Sequence, residues 1–143
     1  MKKELYCCFV DFSKAFDTVW HDGMFLKLLK MGFNGKFYNI IKHMYMNTVA
    51  SIKLPHGLTE AFETNIGIRQ GDCLSPLLFC LYIEDIGNIF DNSCSPCTLG
   101  QKKLSHLLFA DDLVILSETK TGLQNAINKL EMFCKKWKLK INF

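Results

Sequence analysis

Long apolar runs are the first thing this sequence lacks. None reaches the roughly 18 residues that span a bilayer, and the best candidate, Leu74–Phe90, is broken by Glu84-Asp85. No membrane partner is expected. Met1-Lys2-Lys3-Glu4 runs straight into a strand-like segment, so no signal peptide is expected. Charge of one sign is not in excess: the net value of +3 over 143 residues permits a nucleic-acid partner without demanding one. Cys94 and Cys97 form a C-x-x-C in a Ser/Pro loop but lack a second ligand pair, with only His106 nearby. The expectation is a thiol-bearing loop, not a zinc or redox site.

What is present describes one globular domain over residues 1–143, with 49% hydrophobic and 22% charged residues. Seven cysteines is an odd number, and Cys7, Cys8, Cys73, Cys80 and Cys134 sit in or beside apolar stretches. That usage points to a reducing, intracellular compartment where Cys serves as a small hydrophobe; nucleus and cytoplasm are left open. Lys135, Lys136, Lys138 and Lys140 crowd the C-terminal end, as a solvated helix terminus or a phosphate-binding face.

Leu5–Val10 is a continuous apolar run ending in Asp11, read as a strand buried on both faces. Met24–Met31 and then Phe37, Ile40, Ile41, Met44 and Tyr45 fall at helical spacing, parted by Gly32 and Gly35, and predict a packed helix pair. Thr48–Leu54 and Leu58–Thr64 flank Pro55-His56-Gly57, a hairpin signal. Ser75-Pro76 predicts a capped helix start, and Leu77–Phe90 a central, buried helix. Asp91–Gly100 is read as a loop. Leu123, Ile127, Leu130, Cys134 and Trp137 mark an amphipathic helix, and Leu139–Phe143 begins a last strand.

In order, the core elements give an α+β fold: a split β-α-β-β-α-β (ferredoxin-like) core, with the helix pair and one hairpin inserted after the first strand. Phe109-Ala110-Asp111-Asp112 stands between Leu104–Leu108 and Leu113–Leu116, a hairpin with two acids at its tip. In the split fold the first strand neighbours the hairpin strands, so Asp11 is expected beside that tip. Three carboxylates so placed form a hard-oxygen cage for a divalent cation, of the kind that serves phosphoryl and nucleotidyl transfer.

Three segments then carry a resemblance: Phe9–Asp17 (FVDFSKAFD), Gly67–Phe79 (GIRQGDCLSPLLF) and Phe109–Leu113 (FADDL). In that order they resemble the A, B and C motifs of reverse transcriptases. The wording, with its A-F-D-T-V-W-H continuation and Cys134…Trp137…Leu139…Ile141-Asn142, is similar to the non-LTR (LINE-type) retrotransposon enzymes.

The resemblance implies a polymerase palm and RNA-directed DNA synthesis, with two Mg²⁺ ions about 3.5–4 Å apart and Mn²⁺ as a substitute. It implies Asp11 and Asp111 as principal metal ligands, Asp112 in a weaker or indirect role, and the Phe12 carbonyl completing one shell. Phe16 would crowd the 2′ position of the incoming sugar, with core packing as the alternative. Gln70 would contact the nucleotide, Gly71 would let backbone approach it, and Ala110 would leave room for the primer end. Arg69 is read as a phosphate-holding or loop-positioning cation, or as an ion-pair partner of Asp72 or Asp17. Asp17 and His21 are read as turn or cap residues.

The implied partners are an RNA template, a DNA primer, deoxynucleoside triphosphates and the rest of a retrotransposon polyprotein: fingers upstream, thumb downstream, an endonuclease left open. The palm is expected to be truncated at both ends and to grip template and triphosphate poorly on its own. The alternative is a catalytically incompetent retrotransposon-derived fragment, at most a nucleic-acid-binding or interaction module. A nucleotide cyclase on the same topology is disfavoured, because the turn lacks a Gly-Gly-Asp/Glu-Glu-Phe sequence.

Overall fold

The structure, a computed structural model, describes residues 4–46 and 48–142. The expectations for Met1-Lys2-Lys3 and for Phe143 lie outside the described residues. The elements run β1 (Tyr6–Phe12), α1 (His21–Lys30), α2 (Gly35–Tyr45), β2 (Val49–Ala50), β3 (Lys53–Leu54), β4 (Gly57–Leu58), β5 (Phe62–Glu63) and α3 (Ser75–Ile83). Then follow β6 (Cys97–Leu99), β7 (Lys102–Leu104), β8 (His106–Phe109), β9 (Asp112–Ser117), α4 (Lys120–Trp137) and β10 (Ile141–Asn142). They fall into two compact units, Met1–Ala15 with Ile83–Phe143, and Phe16–Tyr82.

The first unit is built on an antiparallel sheet of order β10-β1-β9-β8. Numbered along the core strands that order is 4-1-3-2, the arrangement of the split β-α-β-β-α-β pattern. Its inner face carries Val10, Phe12, Leu113 and Ile115, all buried. Helix α4 packs on β9 and β1, with Ala126, Leu130, Phe133 and Trp137 buried. Thr119 caps α4 by accepting the Gly122 N–H, and Lys138 ends it in the left-handed region at φ 55°. Gly122 is there for space: a Cβ on it would lie 2.6 Å from both the Cys94 carbonyl and the Ser117 hydroxyl.

Strand β1 corrects one expectation. Cys7, Phe9 and Asp11 are exposed while Val10 and Phe12 are buried, so this strand is covered on one face only. Phe9 and Phe109, both 82% exposed, lie on the open face with Leu107 and Asp112. Cys7, Cys73 and Cys80 are likewise exposed and are not small core hydrophobes, whereas burial pushes the Cys134 thiol up to about 11. The Asp91–Gly100 loop is shorter than expected, because Cys97–Leu99 pairs with Lys102–Leu104 around a left-handed Gly100. Within it Cys94 is buried and Cys97 donates to the Leu104 carbonyl, so the two thiols serve local packing.

In the second unit α1 and α2 pack together as the spacing predicts, with Phe25 edge-on to Tyr38. The hairpin around Pro55-His56 forms in two short ladders, β3 with β4 and β2 with β5. Helix α3 is shorter than the apolar run: the chain tightens to 3₁₀ geometry over Glu84–Ile89, and Leu77 and Cys80 stay exposed. Just before its start the Asp72 carboxylate accepts the Leu74 N–H, while the Ser75 hydroxyl is buried 3.4 Å from the Tyr45 hydroxyl. Lys27 of α1 is buried and donates to the Tyr82 carbonyl. No helix among the described residues is long and apolar enough to cross a membrane.

Candidate metal and nucleotide site

The hairpin β8–β9 turns through two residues, Ala110 and Asp111. Ala110 sits at φ 52°, in the left-handed region, where a residue with a Cβ carries about 1–2 kcal/mol of strain. That strained turn puts Asp111 at the tip and Asp112 on the first position of β9. Because β9 pairs with β1, Asp112 is the register partner of Asp11. On its other side Asp11 faces Asn142 of β10, whose Nδ2 donates to Asp11 Oδ2 at 3.2 Å. Asp11 and Asp112 line one groove with Phe9, Val10, Leu113 and Val114.

Two carboxylates placed opposite each other on neighbouring strands repel. Among the described residues no lysine or arginine makes an ion pair with Asp11, Asp111 or Asp112. Carboxylate oxygens are the donor type that a hard divalent ion takes. No group of three or more His, Cys, Asp and Glu side chains closes into a cage among the described residues. Mg²⁺ is ordinarily held by one or two carboxylates while water and substrate oxygens fill the remaining positions. Phe12 has its side chain in the core, so only its backbone is available to such a site.

The other expected site residues fall in the second unit. Phe16, Arg69, Gln70, Gly71, Asp72, Cys73, Ser75 and Pro76 line a cleft of about 480 Å³. Phe16 is half-buried, its ring stacked on Phe79 at 5.2 Å, so it packs and lines the cleft at once. Gly71 takes φ 85° with open space where its Cβ would be; glycine is there for conformation. Arg69 makes no ion pair with Asp72 or Asp17; it donates to the Met44 carbonyl at the C-terminal end of α2, at 3.2 Å. Gln70 donates from Nε2 to Asp17 Oδ1 at 2.7 Å.

Two contacts escaped the sequence reading. Asn142 beside Asp11 was within reach, because the last strand of a split β-α-β-β-α-β sheet lies next to the first. The Asp17–Gln70 bond had no sequence signal, since neither spacing nor periodicity links those positions.

The family model described as "Reverse transcriptase (RNA-dependent DNA polymerase)" matches residues 1–143. The chain is 34% identical over 130 residues to the "Retrovirus-related Pol polyprotein from type-1 retrotransposable element R2" of Nasonia vitripennis, covering 90% of this chain and 12% of that protein. It is 29% identical over 150 residues to the "Probable RNA-directed DNA polymerase from transposon BS" of Drosophila melanogaster, covering 96% of this chain and 16% of that protein. The chain thus spans less than a fifth of the length of these relatives. Among solved structures it matches apo telomerase from Candida tropicalis, truncated from the C-terminal domain, with a TM-score of 0.71 at 16% identity. That match covers 96% of this chain and 29% of the other. At such identity the likeness establishes the fold, a polymerase palm. With the three motifs, the 4-1-3-2 sheet and a family match over its full length, the chain belongs to the reverse transcriptases.

Proposed function

We propose that this chain is the palm of an RNA-directed DNA polymerase, which joins a primer 3′-hydroxyl to the α-phosphate of a deoxynucleoside triphosphate under the direction of an RNA template. The observation that carries this reading is the register of Asp11 with Asp112, next to Asp111 in the adjoining turn, with no cation paired to any of them among the described residues. Asp11 and Asp111 would be the principal residues to hold two Mg²⁺ ions, replaceable by Mn²⁺, with Asp112 in support and the Phe12 carbonyl available to complete a shell. Such ions lower the pKa of the attacking hydroxyl and stabilise charge on the attacking and leaving oxygens.

The chain's own residues do the remaining work. Asn142 orients one Asp11 oxygen by donating to it. The Phe16 ring, braced by Phe79, is a rigid wall that rejects a 2′-hydroxyl by steric conflict. Gln70 contacts the incoming nucleotide, Gly71 lets backbone approach it, and Arg69, with further N–H groups beyond the one on Met44, holds phosphate. Ala110 leaves room for the primer end. The names of the relatives support an RNA-templated reaction, and a telomerase from Candida albicans solved in complex with a TWJ fragment of telomeric RNA, of TM-score 0.71, shares the fold. The rest of a retrotransposon polyprotein supplies fingers and thumb.

Primer extension on an RNA template by the intact protein tests the reading. Asp11→Asn and Asp111→Ala should each abolish extension, with a loss of at least about a thousandfold. Extension by Asp111→Ala at the wild-type rate would refute the assignment. The same assay on the 143 residues alone decides between a self-sufficient catalyst and a fragment that needs its neighbours; little or no extension is expected.

A further inference from the structure

Within the second unit, residues 16–20 run antiparallel to residues 66–68. The Ile68 N–H donates to the Phe16 carbonyl and the Gly67 N–H to the Val19 carbonyl, both at 2.8 Å, and Trp20 bridges Ile66. Gly67 takes φ 88°, and a Cβ on it would lie 3.0 Å from the Asp17 carbonyl, so the two segments touch backbone to backbone. His21 locks the same residue: its Nε2 lies 2.6 Å from the Gly67 carbonyl. A carbonyl only accepts, so Nε2 of the buried ring is the donor in this contact. The chain therefore leaves Ile68, itself buried, from a fixed point, and two residues later reaches Gln70 on the cleft.

There the Gln70 amide meets Asp17. A glutamine amide has an acceptor end and a donor end of nearly equal size, and on an open surface it turns either way. A carboxylate accepts and does not donate. With Nε2 on Asp17 Oδ1 at 2.7 Å, the Gln70 carbonyl oxygen is turned away from Asp17. The bond is charge-assisted, which makes it stronger than a neutral one.

We propose that Asp17 is a positioning residue: it holds the Gln70 amide in one orientation, so that the cleft meets the nucleotide with a defined acceptor. Asp17 itself touches no substrate; it acts through Gln70. The proposal rests on the reading of Gln70 as a nucleotide contact. It gives the Asp of the A-F-D-T-V-W-H stretch a task in substrate selection beside its place in a turn.

The test is steady-state primer extension by the intact protein on an RNA template, with varied deoxynucleoside triphosphate. Gln70→Ala and Asp17→Ala should each raise KM for the nucleotide about tenfold, with kcat within about twofold and the melting temperature unchanged. Asp17→Asn, whose carbonyl accepts but whose amide also offers a donor, should recover part of the loss. In the Gln70→Ala background Asp17→Ala should have no further effect, because the group it orients is gone. If Gln70→Ala raises KM and Asp17→Ala does not, or if the two effects multiply in the double variant, the positioning role is overturned while the nucleotide contact stands. If Gln70→Ala leaves KM at the wild-type value, the nucleotide contact fails and takes the positioning role with it.

Discussion

Asp11 and Asp112 are register partners on neighbouring strands, held opposite each other with no lysine or arginine among the described residues paired to either. A fold selected for stability alone would not place them so, and the cost has a measurable consequence.

Asp112→Asn removes a like-charge cross-strand pair worth about 0.2–1 kcal/mol of destabilisation. In metal-free buffer the variant should melt slightly above the wild type. Added Mg²⁺ should raise the wild-type melting temperature, because an ion that binds only the folded state stabilises it, and should raise the variant's less. Thermal denaturation with and without Mg²⁺ reads both. A variant less stable than wild type in the absence of metal would show that the pair does not repel.

Phe16→Ala should lose discrimination against ribonucleotides, by about tenfold or more in relative incorporation. It should also cost about 2 kcal/mol, because the half-buried ring stacks on Phe79. Phe16→Tyr keeps the ring and should keep both properties. Incorporation ratios measured beside chemical denaturation separate the two roles.

His106 has a pKa lowered by burial, with its ring 5.2 Å from Phe90 and Gly87 close beneath it. The folded state thus favours the neutral imidazole. As pH falls through about 6.5, the unfolded chain takes up a proton that the folded chain resists, so stability declines toward acid from that point. A urea denaturation series from pH 7.5 to pH 5 should show that decline. His106→Phe, which keeps a ring against Phe90, should flatten it.

Gly122→Ala sets two effects against each other. Alanine gains about 1 kcal/mol of helix propensity at this position in α4. Its Cβ, however, would lie 2.6 Å from the Cys94 carbonyl, a backbone atom that moves only with its segment. The clash should win and the variant should be destabilised by at least about 2 kcal/mol. Equal or greater stability in denaturant would show that the Cys94 segment gives way freely.

Much of this was legible because period and spacing survive folding. The split core, the helix pair, the Pro55-His56 hairpin and the Asp11–hairpin juxtaposition all followed from alternation, helical spacing and turn chemistry. What failed was what neighbours decide. The Leu5–Val10 run reads as doubly buried because Phe9 is apolar, yet nothing among the described residues covers Phe9 or Phe109. The Cys97–Leu104 hairpin was hidden behind a Ser/Pro-rich approach that looked like loop. Leu77–Phe90 reads as one helix, but its geometry changes at Glu84, and the 3₁₀ stretch that follows holds Gly87. Arg69 was expected on phosphate or an acid, and the α2 C-terminus, distant in sequence, offered it a carbonyl. Pairwise contacts of that kind leave no local trace.

The sheet order also sets a timetable. The β8–β9 hairpin brings Phe109 and Asp112 together through a two-residue turn, an event of microseconds. Pairing of β1 with β9, and of β10 with β1, must wait until distant stretches of the chain find each other, because closing long loops costs entropy before any contact repays it. Asp111 and Asp112 can thus be in place while Asp11 and Asn142 are still apart. Affinity for a divalent ion should appear only in the last, slow phase of refolding, so that metal uptake during a refolding time course reports completion of the sheet.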